Sequence, residues 1–214
     1  MVNDDLKRLV ESGYDHIAQR YLEWVQRDFA SKKPFTRLRY LHKLLERLPA
    51  QAQILELGCG AGIPCTYLLA QHGHVTGIDI SAAQIALARQ HIPDATLVQA
   101  DMMLLSFPPA SFDAVTAFYS LIHLPRAEQV VLIERLAAWL RPGGWFLVNL
   151  GTLNDPGSIE SDWLGAPMYW SSYDAQTNID LICQAGFIPV ETETIVDDED
   201  GEPVSFLWML AKKA

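Results

Sequence analysis

Cysteine is scarce in this chain. Cys59, Cys65 and Cys183 make an odd number, at spacings that fit neither a zinc site nor a disulfide framework. Free thiols, no bound metal and a reducing, cytoplasmic setting are therefore expected. No uninterrupted apolar run reaches eighteen residues, so no helical membrane span is expected. The first ten residues carry Asp4 and Asp5 and lack an apolar h-region, which argues against a signal peptide. Positive charge is short as well: 16 Lys and Arg face 26 Asp and Glu, a formal net charge of -10. Such a surface repels polyanions on average, which disfavours a nucleic-acid partner unless a local basic patch exists. Lys32, Lys33, Arg37 and Arg39 form the one candidate patch, and a solvated helix face is the simpler reading.

What remains is an ordinary globular composition, half hydrophobic and one-fifth charged, over 214 residues. That length suits a single domain, 1–214, around one large core. The chain is organised around Ile54-Leu55-Glu56-Leu57-Gly58-Cys59-Gly60-Ala61-Gly62. An apolar run there reads as a buried strand, and three glycines spaced two apart allow a tight turn and close backbone approach to a ligand. Residues 63–70 suit a helix, with Pro64 in its first turn where a missing N–H costs nothing. Strand, glycine turn and helix N-terminus together make a nucleotide-type site. A dinucleotide fingerprint needs a small third residue for helix–strand packing, and counting from Gly58 that position is Ile63. This weakens the case for a nucleotide-dependent oxidoreductase.

Before this stretch, residues 4–48 read as helices, with Leu38, Leu41, Leu44, Leu45 and Leu48 as an apolar stripe behind Pro34. They form a helical extension (1–50) that either lids a site or only packs. From residue 52 onward strands and helices alternate, which predicts α/β architecture with helices on both faces of a mostly parallel sheet. Strands are expected at 75–80, 95–100, 112–119 and 145–150, with a helix at 127–140 stopped by Arg141-Pro142-Gly143-Gly144. Ser81 caps a further helix, with Gln84 as its capping-box partner. Residues 151–173, rich in Gly, Pro, Ser and aromatics, read as a long irregular loop. Asp174 caps a helix at 175–185, and strands at 187–196 and 204–211 are joined by an acidic turn short enough to make them antiparallel.

Two acids stand at strand ends, where ligands bind in open α/β sheets. Asp79 lies seventeen residues after Gly62 and can accept hydrogen bonds from both hydroxyls of a ribose. Asp101 follows the next strand; its carboxylate can accept from an adenine amino group, with Met102 beside the ring.

The order and spacing of five segments resemble class I S-adenosylmethionine-dependent methyltransferases. Leu55-Glu56-Leu57-Gly58-Cys59-Gly60-Ala61-Gly62 is similar to motif I and Val75-Thr76-Gly77-Ile78-Asp79-Ile80-Ser81 to motif II. Gln99-Ala100-Asp101-Met102 is similar to motif III, Ser111-Phe112-Asp113-Ala114-Val115 to motif IV, and Leu140-Arg141-Pro142-Gly143-Gly144 to the turn before the fifth strand. The resemblance implies a Rossmann-like, seven-stranded sheet closed by the antiparallel pair, with 51–150 as the cofactor half and 151–214 as the substrate loop, helix and strands. It implies methyl transfer from S-adenosylmethionine to a small-molecule acceptor, leaving S-adenosylhomocysteine. Implied cofactor residues are Glu56, Gly58, Cys59, Gly60, Gly62, Asp79, Ile80, Asp101, Met102 and Phe118. Tyr14 and Tyr21, in Tyr14-Asp15-His16-Ile17-Ala18-Gln19-Arg20-Tyr21, resemble a segment that closes over the methionine carboxylate; packing of the helix is the alternative.

His123, just past the fourth strand, is the candidate base or acceptor-binding group, with a structural role as the alternative. Trp163, Met168, Tyr169 and Trp170 are the candidate substrate wall. The fourth strand runs into Ala117-Phe118-Tyr119-Ser120 and lacks the Asn/Asp-Pro-Pro-Tyr signature of amino-methylating DNA, rRNA and protein-glutamine enzymes. A non-catalytic S-adenosylmethionine-binding module that regulates a partner is the remaining alternative, and no feature fixes an oligomeric state.

Overall fold

A computed structural model describes residues 3–30, 36–199 and 202–214, the side chains of 28, 198 and 199 excepted. Lys32, Lys33 and Pro34 lie outside the described residues. The chain order is α1 (Asn3–Ala30), α2 (Thr36–Leu45), β1 (Ala52–Leu57), α3 (Cys65–His72), β2 (Gly73–Asp79), α4 (Ala82–His91), β3 (Thr96–Gln99), β4 (Phe112–Ala117) and α5 (Arg126–Trp139). Then follow β5 (Leu140–Gly151), β6 (Asp155–Trp163), β7 (Ala166–Ser172), α6 (Ala175–Gln184), β8 (Phe187–Glu199) and β9 (Glu202–Lys213). Among the described residues no helix is long and apolar enough to cross a membrane.

Seven strands form one sheet in the order β3-β2-β1-β4-β5-β9-β8. The first five run parallel, and β9 lies antiparallel between β5 and β8. Strand order reverses between β1 and β4, so their carboxyl ends frame a crevice. The central strands are buried on both faces, as parallel strands covered by helices must be. One core cluster packs α5 and α6 on one face, from Leu57 and Val115 to Leu136 and Met209. On the other, α2 buries Tyr40, Leu41 and Leu44 against Trp208, with α3's Leu69 in the same cluster.

Two expectations change. Arg141-Pro142-Gly143-Gly144 does not stand outside the fifth strand. It is a bulge within β5, whose register jumps from Phe112↔Leu140 to Ala114↔Trp145. Residues 151–173 are no irregular loop but largely a hairpin, β6 with β7, forming a sheet of its own. Leu164 and Gly165 both take positive φ at its tip (51° and 94°), the backbone a two-residue hairpin turn requires. An isolated two-stranded hairpin is marginal in water; here α1 covers it. Val10 and Ile17 of α1 bury Met168 and Tyr169 of β7. Gly13 is what permits this closeness, since a Cβ there would lie 2.9 Å from the Pro167 carbonyl oxygen.

Candidate functional site

The glycine turn leaves β1 at the reversal point of the sheet, and its three glycines do different work. All three have positive φ (74°, 55° and 82°). A Cβ on Gly58 would sit 2.4 Å from the Ser120 Cβ, and one on Gly62 2.6 Å from Ile92 Cδ1. Those two glycines let the turn pack against the segment after β4 and against the end of α4. A Cβ on Gly60 would make only ordinary contacts, with Gln84 Oε1 at 3.8 Å and Tyr21 Cε1 at 3.9 Å, and both side chains line the cavity, so Gly60 is the one over which a ligand can lie.

Asp79, at the end of β2, holds the turn in place. Its Oδ2 accepts from the Gly60 N–H at 2.8 Å and its Oδ1 from the Ser81 N–H at 3.0 Å. Burial nevertheless pushes its carboxyl up to about 6, against those two bonds and with the charge of Asp15 adding to the rise. Desolvation outweighs what backbone N–H groups return. Glu56 is more extreme: 2 % exposed and raised to about 7 by burial, with Thr66 and Arg37 pulling the other way.

A narrow cavity of about 80 Å³ runs along this turn. Tyr14 and Tyr21 of α1, Arg37 of α2, Gly58, Cys59, Gly60, Asp79, Ile80, Met102, Phe118 and His123 all border it. It is smaller than the roughly 300–1,000 Å³ that holds a drug-sized ligand, and α1 supplies one of its walls. Two wall groups are poised for a ligand. Gln84 is 1 % exposed, yet neither atom of its amide has a hydrogen-bond partner, and the Ser120 hydroxyl is in the same state. Buried polar groups are normally paired.

Gln84 was expected to complete a capping box; only half of it forms. Ser81 Oγ accepts from the Gln84 N–H at 3.1 Å, but the Gln84 side chain does not reach back. Asp79 takes that place by accepting from the Ser81 N–H, while Asp15 of α1 adds to the cap, accepting from Ser81 Oγ at 2.6 Å and from the Ala83 N–H at 3.0 Å. Arg37 is also corrected: it lies on no solvated face but in the cavity wall, its guanidinium carbon 4.5 Å from the Tyr119 ring centroid. Burial opposes its charge, and Tyr21, Cys65 and Tyr119 outweigh that, so it stays protonated. Arg39 fits the solvated reading, pairing with Glu193 at 2.8 Å.

Asp101 stands apart from the narrow cavity, in an outer groove that shares Ile80 with it. Its Oδ1 accepts from the Met103 N–H at 2.8 Å and its Oδ2 pairs with Lys7 of α1 at 2.7 Å. Cys59 is buried, its thiol pushed up mainly by desolvation, with Asp79 and Glu56 adding to it. It packs against Gly77, where a Cβ would come within 3.2 Å of it.

His123 is buried with both ring nitrogens engaged. Nδ1 lies 2.9 Å from the Tyr169 carbonyl oxygen and Nε2 lies 2.8 Å from the Tyr14 hydroxyl. A carbonyl only accepts, so Nδ1 carries the proton and Nε2 accepts from Tyr14. Burial lowers its pKa to about 4, which keeps the ring neutral.

Beyond His123 lies a second, larger cavity of about 770 Å³ between the hairpin and the start of β9. Trp163 and Trp170 line it; Met168 and Tyr169 line neither cavity, being buried under α1. Aromatic rings partition the two spaces. Trp163 meets Tyr14 and Tyr21 at centroid distances of 5.8 and 5.7 Å, and Trp170 meets His123 at 4.5 Å.

Sheet order and the glycine turn at the reversal point define a Rossmann-like α/β fold of the class I methyltransferase type. A family model described as a methyltransferase domain matches residues 54–144. Over this stretch, from β1 to the bulge of β5, the chain is similar to class I S-adenosylmethionine-dependent methyltransferases. It is 30% identical over 162 residues to a ubiquinone biosynthesis O-methyltransferase of Xylella fastidiosa (strain 9a5c), covering 65% of this chain and 64% of that one. It is 42% identical over 123 residues to a trans-aconitate 2-methyltransferase of Delftia acidovorans (strain DSM 14801 / SPH-1), covering 53% and 44%. The chain thus spans less than two thirds of the length of these curated relatives. A similar solved structure is the Burkholderia thailandensis 1,6-didemethyltoxoflavin-N1-methyltransferase with its substrate and S-adenosylhomocysteine. Its TM-score is 0.65 at 22% identity, covering 92% of this chain and 90% of that one.

Proposed function

We propose that the protein transfers a methyl group from S-adenosylmethionine to a small-molecule acceptor, as one domain, 1–214, in which residues 1–50 lid the site. The observation that carries this reading is the Gly60 N–H bound to Asp79, with the unpartnered Gln84 amide beside it. Ribose hydroxyls satisfy both groups at once. The named activities of the relatives, on a ubiquinone precursor pathway and on trans-aconitate, support a small acceptor. The acidic balance disfavours a nucleic acid, and free cysteines support a reducing cytoplasm.

When bound, S-adenosylmethionine supplies an electrophilic methyl whose C–S bond breaks, the pair staying on sulfur while an acceptor lone pair forms the new bond. The chain's own residues bind, orient and exclude water. Asp79 and Gln84 take the ribose, while Met102, Ile80 and Asp101 take the adenine across the wall shared by the two grooves. Gly58, Gly60, Gly62, Glu56, Cys59 and Phe118 shape the methionine end, where Arg37 offers the charge for a carboxylate. Tyr14 and Tyr21 close over it. His123, neutral and with its Nε2 lone pair given to Tyr14, orients that hydroxyl; an acceptor that sheds a proton reaches His123 only by displacing it. Trp163, Tyr169, Met168 and Trp170 form and support the acceptor wall, and placement supplies much of the acceleration.

Calorimetric titration with S-adenosylmethionine and S-adenosylhomocysteine tests this. Binding at micromolar affinity is expected, weakened at least tenfold in both Asp79→Asn and Gln84→Ala. Asp79 also holds the turn, so Gln84→Ala, whose side-chain amide makes no hydrogen bond in the structure, guards against mere misfolding. Heat on adding NADH or NADPH, and none with either sulfur nucleoside, would overturn the reading.

A further inference from the structure

The larger cavity has an uneven chemistry. Its wall combines three indoles, Trp24, Trp163 and Trp170, with four carboxylates, Asp155, Glu160, Asp162 and Glu202. No Lys, Arg or His borders it among the described residues. Nearby cations are turned to other work. Arg126 donates to the Asp155 carbonyl at 2.9 Å and to Asn154 Oδ1 at 2.7 Å, and its guanidinium lies over Tyr173. Arg20 donates to the Leu164 carbonyl at the hairpin tip.

We infer that this cavity takes an acceptor bearing a positive charge, an amine or a quaternary ammonium ion, seated against the tryptophans and facing the carboxylates. The inference rests on the methyltransferase reading for the word acceptor; the preference for cations stands on the cavity itself. Acids on a surface are ordinarily just solvated, and Asp155 is partly used within its turn, accepting from the Gly157 N–H and the Ser158 hydroxyl. The indoles make the difference. Trp163 and Trp170 meet edge to face, centroids 5.2 Å apart at 87°, with Trp24 6.5 Å from Trp163. The ring surface that these indoles leave on the cavity wall draws a cation more strongly than a neutral or anionic group. Glu160 Oε2 accepts from the Trp170 indole N–H at 3.2 Å, which fixes a negative charge at the edge of one ring. A carboxylate-bearing acceptor would meet only like charge there.

The position also suits transfer. Trp163 and Trp170 contact Tyr14, Tyr21 and His123, which border the cofactor cavity. Where the methylated atom is itself the amine nitrogen, it reacts as the free base, its lone pair forming the N–C bond and any remaining N–H proton passing to water. Where it is another atom, the charge serves only to hold the molecule.

The test is calorimetric titration of the protein, loaded with S-adenosylhomocysteine, with benzyltrimethylammonium, benzyl alcohol and phenylacetate. The ammonium ion is expected to bind at least tenfold more tightly than phenylacetate, with the alcohol between them. The Glu160→Gln/Asp162→Asn double variant is expected to weaken the ammonium at least fivefold and to keep the S-adenosylhomocysteine affinity within twofold. Equal or tighter binding of phenylacetate, an ammonium affinity unchanged in the variant, or no ammonium binding would each overturn the inference. Failure of S-adenosylhomocysteine itself to bind sinks the methyltransferase reading instead. The ammonium titration on the unloaded protein then still decides whether the cavity selects cations.

Discussion

The two cavities are built from different materials. The narrow one sets the main chain of the glycine turn, fixed by a buried parallel sheet, against side chains of α1, α2 and the segment after β4. The larger one is lined by indole and carboxylate side chains from a helix that precedes the sheet and a hairpin outside it. The glycine-turn side of that wall tolerates little sequence change, because its shape rests on glycines and one acid. A side-chain wall on an added hairpin is redrawn by exchanging a few residues. The contrast explains how one fold keeps a cofactor while its acceptors vary.

The sharpest way to break this contrast is inside the glycine turn. Gly58→Ala puts a methyl 2.4 Å from the Ser120 Cβ at a φ of 74°. Overpacking costs about 1–3 kcal/mol and the left-handed backbone about 1–2 more. Stability in urea should fall by roughly 3 kcal/mol, with S-adenosylhomocysteine binding lost. Gly60→Ala meets nothing within 3.8 Å, so only the backbone term remains, about 1–2 kcal/mol, while its methyl enters the ligand's space. It should lose affinity well beyond its loss of stability. Equal stability losses in the two variants would mean that the turn is not divided into packing and binding glycines.

The same division governs what sequence could disclose. The sheet half was legible because its signals are local: apolar runs, glycines at positive φ, acids at strand ends. The hairpin was not, since β6 is exposed over nearly all its length and Asp155-Pro156-Gly157-Ser158 carries no apolar alternation. It is a strand only because β7 pairs with it and α1 covers that partner. Leu164-Gly165 was the available signal, a dipeptide of the kind that turns hairpins. Arg37 was misjudged for a nearer reason. It stands four and seven residues before Leu41 and Leu44, on the buried stripe itself, so helical spacing alone placed it inside. Asp15 had no such signal, because its partner is the start of a helix 66 residues away.

A smaller effect sharpens the contrast from the cofactor side. Glu56 titrates near 7 in the folded chain, against an ordinary 4.5. Between those values the folded chain holds a proton that the unfolded chain has released. Stability is therefore greatest below about pH 4.5, falls as pH rises towards 7, and is level above. His123 works in the opposite sense: its pKa of about 4 lets the unfolded chain bind the extra proton, so its contribution grows between about pH 4 and 6.5. Comparing wild type with Glu56→Gln cancels the histidine. The variant should be more stable by about 2 kcal/mol at pH 8, taken as an order of magnitude, and near parity at pH 4.5. A difference of the same size at both pH values in urea titrations would rule out the buried acid as its source.

The smallest effect belongs to the acceptor side, where stability and function should part company. Gly13 sits within α1, and replacing a helical glycine with alanine gains up to about 1 kcal/mol. Against that, the added Cβ would lie 2.9 Å from the Pro167 carbonyl oxygen and 3.0 Å from Met168 Cε. The methionine end can swing aside, but the carbonyl belongs to β7 and moves only with the hairpin. The two terms nearly offset, so Gly13→Ala should change unfolding free energy by less than about 1 kcal/mol. Yet a shift of a few tenths of an ångström in β7 carries Trp170 and the Tyr169 carbonyl, and through that carbonyl the tautomer of His123. Benzyltrimethylammonium binding should weaken about three- to tenfold and S-adenosylhomocysteine binding less, because Asp79 and Gln84 do not rest on the hairpin and Tyr14 depends on it only through His123. Parallel losses for both ligands would show that the two walls are one mechanical unit after all.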